Sequence, residues 1–306
     1  MKQKIKKKPA GNGYLSPFMG ETIVQLQRLG KTRTSETYRS TLSRFLRFRN
    51  GRDVLISSMN DEMIMAFEAS LKAGGLSPNT TSFYMRILRA TYNRAVKEGI
   101  TKQKYPFKYV YTGVAKTRKR SVDISIISRL AGMNLEDSPA AALARDMFLF
   151  SFYTRGMSFV DMAYLRKSDL SQGILKYIRR KTGQTLYIRW EKCMEEIVAN
   201  YDNPSSIYLL PIITSLECDE RQQYVNMSHN INRNLKALGK KMGVRIPLTM
   251  YVARHTWANA ARQKHIPISV ISEGMGHTSE MTTRIYLSSL DTDIIDRANR
   301  KILGSL

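Results

Sequence analysis

Four segments between residues 19 and 99 repeat apolar side chains at helical spacing, and each closes on a glycine. Met19 to Leu29 runs into Gly30. A second segment opens at Thr34 and Ser35, carries Tyr38, Leu42, Phe45 and Leu46, and stops near Gly51. A third follows Asn60 with Met63, Ile64, Phe67 and Leu71, and meets Gly74 and Gly75. A fourth takes Ser77 as its cap and Pro78 as its first helical residue, carries Tyr84, Ile87, Leu88, Thr91 and Tyr92, and ends at Gly99. A 3.6-residue period with a capping residue in front and glycine behind predicts short amphipathic helices. Such helices can bury their apolar stripes only against one another. The expectation is an all-helical unit over residues 14–110.

The remaining faces of these helices hold Arg39, Arg44, Arg47, Arg49, Arg86, Arg89 and Arg94. That distribution suits a bundle laid on a phosphate backbone, with a solvated basic surface as the plain alternative. Over the whole chain 49 Lys and Arg face 25 Asp and Glu, a formal charge of +24. Like charges repel in a compact protein, so a surplus of this size points to a polyanion. Charge alone favours DNA and RNA equally.

A chain of 306 residues suits two domains. Residues 1–13 read as a basic flexible tail, and residues 111–121, with Lys116, Arg118, Lys119 and Arg120, as a basic linker. Residues 122–306 are mixed. Helical patterns start near Ile124 and Pro139, and recur over residues 228–242, 251–264, 268–275 and 280–288. Two strands, Ile174 to Tyr177 and Leu186 to Trp190, flank a hairpin turn at Lys181, Thr182, Gly183 and Gln184. The tail from Asp291 to Leu303 carries Ile294, Ile295, Ala298 and Ile302 on one face. The two cysteines, Cys193 and Cys218, form neither a disulfide framework nor a zinc motif. The most apolar stretch, Ala140 to Tyr153, is interrupted by Arg145 and Asp146. No signal-peptide core follows the lysine-rich start. The reading is a soluble intracellular protein with no membrane partner.

The informative segment is Ala253-Arg254-His255-Thr256-Trp257, followed by Gly276-His277-Thr278-Ser279 and then Thr283-Arg284-Ile285-Tyr286. An Arg-His pair opens a helix, a Gly-His turn follows, and a tyrosine lies nine residues beyond that histidine. In order and spacing this set resembles the tyrosine recombinase (phage integrase) family, over most of residues 14–306. The variant segment around Thr154 resembles integrases and DNA invertases of Bacteroides-type bacteria.

The resemblance implies a mainly α fold with a small β-sheet: an N-terminal SAM-like helical core-binding domain and a C-terminal mixed α/β catalytic domain. It implies a site-specific recombinase that cuts and rejoins DNA through a covalent 3′-phosphotyrosyl intermediate, for integration, excision or inversion. Tyr286 matches the nucleophile, Arg254 the second phosphate-clamping arginine, His277 the phosphate-binding histidine and Lys181 the proposed general acid. Arginine suits the transferring phosphoryl group because its planar fork binds two oxygens and stays charged. A lysine or histidine can protonate the leaving 5′-oxygen. The phosphotyrosyl bond retains the energy of the cut, so no cofactor and no metal are implied.

Two positions depart from the family. Tyr251 stands where a histidine or lysine is usual, offering a phosphate a hydrogen bond without charge. The first arginine usually stands in Thr-Gly-x-Arg-x-x-Glu, whereas this chain reads Thr154-Arg155-Gly156-Met157-Ser158-Phe159-Val160-Asp161. Aligning Asp161 with the acidic residue puts Ser158 in the arginine's place. Arg155, one turn earlier, is the favoured substitute, with Arg179 and Arg180 as alternatives; Asp161 is expected to buttress the site. The partners implied are double-stranded DNA with inverted half-sites and further copies of this chain, forming a homotetramer through the C-terminal helix. Accessory DNA-bending proteins are a further partner class. Competing readings are a DNA-binding protein of the same fold with impaired catalysis, a type IB topoisomerase and a metal-dependent nuclease.

Overall fold

The computed structural model describes residues 13–115, 121–287 and Leu303. The chain forms two compact units, residues 1–117 and 118–306. The apolar face expected on the C-terminal tail, residues 1–12 of the basic tail and residues 116–120 of the linker lie outside the described residues.

In the first unit α1 (Leu15–Arg28), α2 (Thr32–Phe48), α3 (Asp61–Ala73) and α4 (Pro78–Lys97) pack as the apolar spacing predicts. Asn60 caps α3 by accepting from Met63 N–H, and Ser77 caps α4 by accepting from Thr80 N–H. Phe45, Phe67, Ile56, Ile64, Leu88 and Tyr92 form the centre of the core. The Phe45 and Phe67 rings meet edge to face at 5.0 Å. α1 starts at Leu15, four residues before the expected Met19, because Leu15 and Phe18 belong to the buried stripe. Not all seven arginines stand ready for phosphate. Arg94 bonds Glu98, Thr22 and Gln25 and ties α4 to α1, and Arg49 bonds Arg52 O and Met63 Sδ.

The second unit is built around α6 (Pro139–Tyr153), the apolar stretch noted above. It is buried nearly all round, so it shows no amphipathic stripe. Its one buried carboxylate, Asp146, accepts from Arg145 and from the Tyr201 hydroxyl, each at 2.7 Å. Around it lie α5 (Ile124–Ala131), α7 (Phe159–Ala163), α8 (Lys192–Ala199), α9 (Glu220–Lys241) and α10 (Met250–Gln263). α11 (Ile268–Gly274) and α12 (Glu280–Tyr286) follow, with Leu287 buried against Ala258, Ala261, Ile271 and Met275. A three-stranded antiparallel sheet joins β1 (Leu170–Ser171), β2 (Ile174–Ile178) and β3 (Thr185–Arg189) in chain order. Leu175 and Tyr177 of β2 and Leu186 and Ile188 of β3 point into the core. The hairpin agrees with the expectation; β1, α7 and α8 were not anticipated.

Candidate active site

A pocket of about 1070 Å³ opens in the second unit, lined by Arg179, Lys181, Arg233, Lys236 and Arg254 and, among the described residues, by no carboxylate. Five cations facing one cavity hold a positive potential that only an anion relieves. The turn before α7, the β2–β3 hairpin, α9, α10 and the α11–α12 connection supply the walls.

Arg254 sits one turn into α10, only 6% exposed. The N-terminus of α10 is fixed to α9 because Met250 N–H donates to Asn232 Oδ1 at 2.9 Å. The Arg254 guanidinium is held by three acceptors: Gly156 O at 2.6 Å, Met275 O at 2.7 Å and His277 Nε2 at 3.0 Å. Gly156 has a left-handed φ of +73°, and a Cβ there would fall 2.7 Å from Arg254 Cα. Only glycine accommodates both the conformation and the approach.

Arg179 follows β2 and continues its inward side, after Leu175 and Tyr177. It is 5% exposed, its Nη1 donates to Gly276 O, and its Nε has no hydrogen-bond partner among the described residues. A buried donor on a charged group is left unsatisfied only at considerable cost, so an arriving anion has something to gain there. Gly276 repeats the logic of Gly156. Its φ is +63°, and a Cβ would lie 2.9 Å from Leu186 and 3.0 Å from the Arg179 stem. Lys181, two residues further along the hairpin, reaches the same pocket and remains exposed. Gly183 N–H and Thr182 N–H close the loop on Arg179 O.

His277 ends a Schellman turn after α11, with His277 N–H on Ser272 O and Gly276 N–H on Glu273 O. Its Nε2 faces Arg254, and its Nδ1 lies 2.7 Å from Thr283 Oγ1 of α12. Burial, reinforced by the charges of Arg254, Arg179 and Lys181, pushes its pKa down to about 4. The imidazole is therefore neutral near pH 7. Tyr251 stands at the pocket edge, half exposed, with its ring edge-on to His255 at 4.3 Å. Tyr286 is the last residue of α12, one turn after Thr283.

Arg155, the favoured substitute for the first arginine, does not line this pocket. It lines a separate cavity with Trp257, Glu273 and Gly274. The reason is the chain reversal at residues 155 and 156, both at left-handed φ, which turns Gly156 onto Arg254 and leaves the Arg155 stem beside Gly274. Arg180, on the outward side of the strand, stacks 3.9 Å over the Tyr164 ring. Ser158 lines the pocket but caps α7, donating to Asp161 Oδ2 at 2.6 Å. Asp161 also accepts from Arg180 N–H at 2.9 Å, joining this turn to the hairpin. Of the three arginines weighed for the vacant role, Arg179 alone reaches Arg254's pocket. The sequence carried a signal for it: the alternation that turns Leu175 and Tyr177 of β2 inward, carried one step past the strand end, sends Arg179 the same way.

Three further pocket residues went unread: His229, Arg233 and Lys236 on α9, spaced four and three apart as one helical face requires. Among the described residues, no group of three or more His, Cys, Asp or Glu gathers to hold a metal ion.

Comparison with known proteins gives the same picture. Residues 14–111 match the phage integrase SAM-like domain, and residues 133–293 match the phage integrase family. Tyrosine recombinase XerC of Thermodesulfovibrio yellowstonii is 22% identical over 282 residues, covering 89% of this chain and 90% of the relative. Tyrosine recombinase XerA of Pyrococcus furiosus is 24% identical over 281 residues, covering 89% of each chain. A lambda integrase dimer bound to a COC′ core site superposes with a TM-score of 0.68 at 17% identity, over 91% of this chain and 98% of that one.

Proposed function

Since the chain belongs to the phage integrase family and is a site-specific tyrosine recombinase, we propose that it breaks and rejoins DNA with Tyr286 as nucleophile in the pocket of Arg254, Arg179, Lys181 and His277. The Tyr286 oxygen attacks the scissile phosphorus while its phenolic proton passes to solvent water, and the P–O5′ bond breaks. The 5′-oxygen takes a proton from the Lys181 ammonium. Arg254 and Arg179 hold the charge that develops on the non-bridging oxygens. Rejoining runs the same steps backwards from a 5′-hydroxyl.

The observation that carries this reading is the pocket of five cations beside α12, free of carboxylates among the described residues, where the buried Arg179 Nε likewise has no acceptor. Arg179 takes the first-arginine role, which removes the main argument for an impaired enzyme. Tyr251 offers a neutral hydrogen bond at the pocket edge, and Ser158 serves the α7 turn. The lambda integrase dimer on its core site supports duplex DNA as partner and the joining of more than one protomer. Inverted half-sites and a tetramer linked through the C-terminal tail are the finer form of the proposal.

The test uses a duplex bearing a half-site selected by the protein from a random pool, nicked near the cut so that religation fails. A covalent protein–DNA adduct that disappears in Tyr286→Phe is expected. Binding with no adduct from the wild-type protein would favour the impaired reading. Relaxation of supercoiled plasmid lacking the site would favour a topoisomerase.

A further inference from the structure

Lys181 has to bring an ammonium to the 5′-oxygen, yet no hydrogen bond or ion pair among the described residues holds that ammonium. Its reach is therefore set by the turn that carries it. That turn runs from Arg179 to Gln184 between β2 and β3. Arg179 N–H donates to Gln184 O at 2.8 Å, and Gly183 N–H donates to Arg179 O at 2.8 Å. Such a turn keeps its shape but can still tilt on the strand ends, and its tip then moves most, unless side chains tie it down.

Both ends of the turn are tied to the connection before α12. At the near end Arg179 Nη1 donates to Gly276 O. At the far end Gln184 Nε2 donates to His277 O at 3.3 Å. Thr182 Oγ1 lies between the two, 3.3 Å from Gly276 O and 3.4 Å from Gln184 Oε1. The Gln184 amide can face only one way. A carbonyl oxygen only accepts, so the NH2 group must meet His277 O, which leaves Oε1 to accept from the Thr182 hydroxyl. Arg179, Lys181 and Thr182 line the phosphate pocket, whereas Gln184 lines the separate cavity of Arg155 and Trp257. Gln184 thus grips the hairpin and the His277 turn from behind, without facing the phosphate.

We propose that Gln184 is a positioning residue for the general acid: its amide fastens the far end of the hairpin turn to His277 O and so fixes the reach of Lys181 to the leaving 5′-oxygen. The proposal rests on Lys181 being the proton donor. Without the amide, the near end keeps its Arg179–Gly276 bond, and the Arg254 guanidinium keeps its three acceptors. Only the tip bearing Lys181 is released. The loss therefore falls on proton delivery and not on the charge held at the non-bridging oxygens.

A change of leaving group separates these two effects. With sulfur in place of the scissile bridging O5′, the Tyr286 oxygen still attacks phosphorus, the P–S bond breaks, and a 5′-thiolate leaves. A thiol has a pKa of about 8.5, so its thiolate departs without a proton donor. Single-turnover adduct formation is measured on the nicked duplex described above, in oxygen-linked and sulfur-linked forms. Gln184→Met keeps the length of the side chain and removes the amide. It is expected to cut the oxygen-linked duplex on the order of 100-fold more slowly, as for a misplaced reacting group, and the sulfur-linked duplex at the wild-type rate. Gln184→Glu, isosteric but without a donor when ionised, should do the same. Lys181→Met should show this pattern too, and Arg254→Lys should slow both duplexes. Equal slowing of the two duplexes by both Gln184 variants would overturn the proposal, because the amide would then serve the clamp or the fold. Wild-type cleavage of the oxygen-linked duplex by both would overturn it as well. Wild-type cleavage of that duplex by Lys181→Met would instead remove the acid assignment on which the tie depends.

Discussion

A buried guanidinium without a carboxylate partner destabilises a fold until an anion meets it, and among the described residues Arg179 is in that condition. Arg179→Met is therefore expected to act in two directions. It should raise the melting temperature of the DNA-free protein, by relief of an uncompensated charge. It should also lower the rate of adduct formation by at least about 100-fold, the scale for losing a donor to transition-state charge. Arg155→Met, in its separate cavity, should slow cleavage far less; the reverse ranking would return the first-arginine role to Arg155. His277 makes a prediction about acid. Its folded pKa is pushed from 6.5 down to about 4, so between those values the unfolded chain binds a proton that the folded chain refuses. Stability then rises with pH across that window and is lost as pH falls through it, by at most about 1.4 kcal/mol per pH unit. Denaturant titrations of the wild type and His277→Gln at about pH 7 and about pH 4.5 check the sign: the wild type should lose more. Equal losses would mean that His277 titrates normally.

Turns, more than helices, decide this site at the level of elements. Gly156 and Gly276 each combine a left-handed φ with the stem of a buried arginine where a Cβ would be. Gly156→Ala is expected to lose about 2–3 kcal/mol in urea unfolding, from backbone strain and the clash with Arg254, and to cut poorly even where folded. Gly173→Ala is the control, since its φ is +71° with no atom within 4 Å. It meets strain alone, about 1–2 kcal/mol, and should cleave normally. Equal effects would deny Gly156 its part in holding Arg254. The same distinction explains what the sequence could reveal. The four helices of the first unit were legible because caps and glycines bracket a clear apolar period. Arg254, His277 and Lys181 were legible because order and spacing single them out, and they do share one pocket. α9 begins at Glu220, eight residues before the expected Ser228, because Glu220 to Met227 is mostly polar and only the Asp219 cap marks the start. The choice of Arg155 over Arg179 failed to match the pocket for a related reason. It weighed proximity along the chain, whereas strand alternation and a reversed turn decide which side a residue faces.

For the whole molecule, charge and core give different divisions of labour. Each unit closes its own core, Phe45 and Phe67 in the first and the surroundings of α6 in the second. A fragment of residues 121–306 is therefore expected to fold alone and keep its pocket, whose walls all lie within it. It should still form the adduct when protein is concentrated. What it should lose is affinity and salt sensitivity. Each phosphate that a cation neutralises releases counterions, and the slope of log affinity against log salt is roughly −0.9 per contact on duplex DNA. Arg39, Arg47 and Arg86 are exposed on α2 and α4 and have no protein partner among the described residues, so they are free to add such contacts. The full chain should then show a steeper slope than the fragment on the same duplex, and Arg39→Ala with Arg47→Ala should reduce it without changing the single-turnover rate at saturating protein. An unchanged slope would mean that the basic faces of the first unit are solvated rather than bound. The +24 surplus would then have to act through the second unit, where the pocket already concentrates five cations.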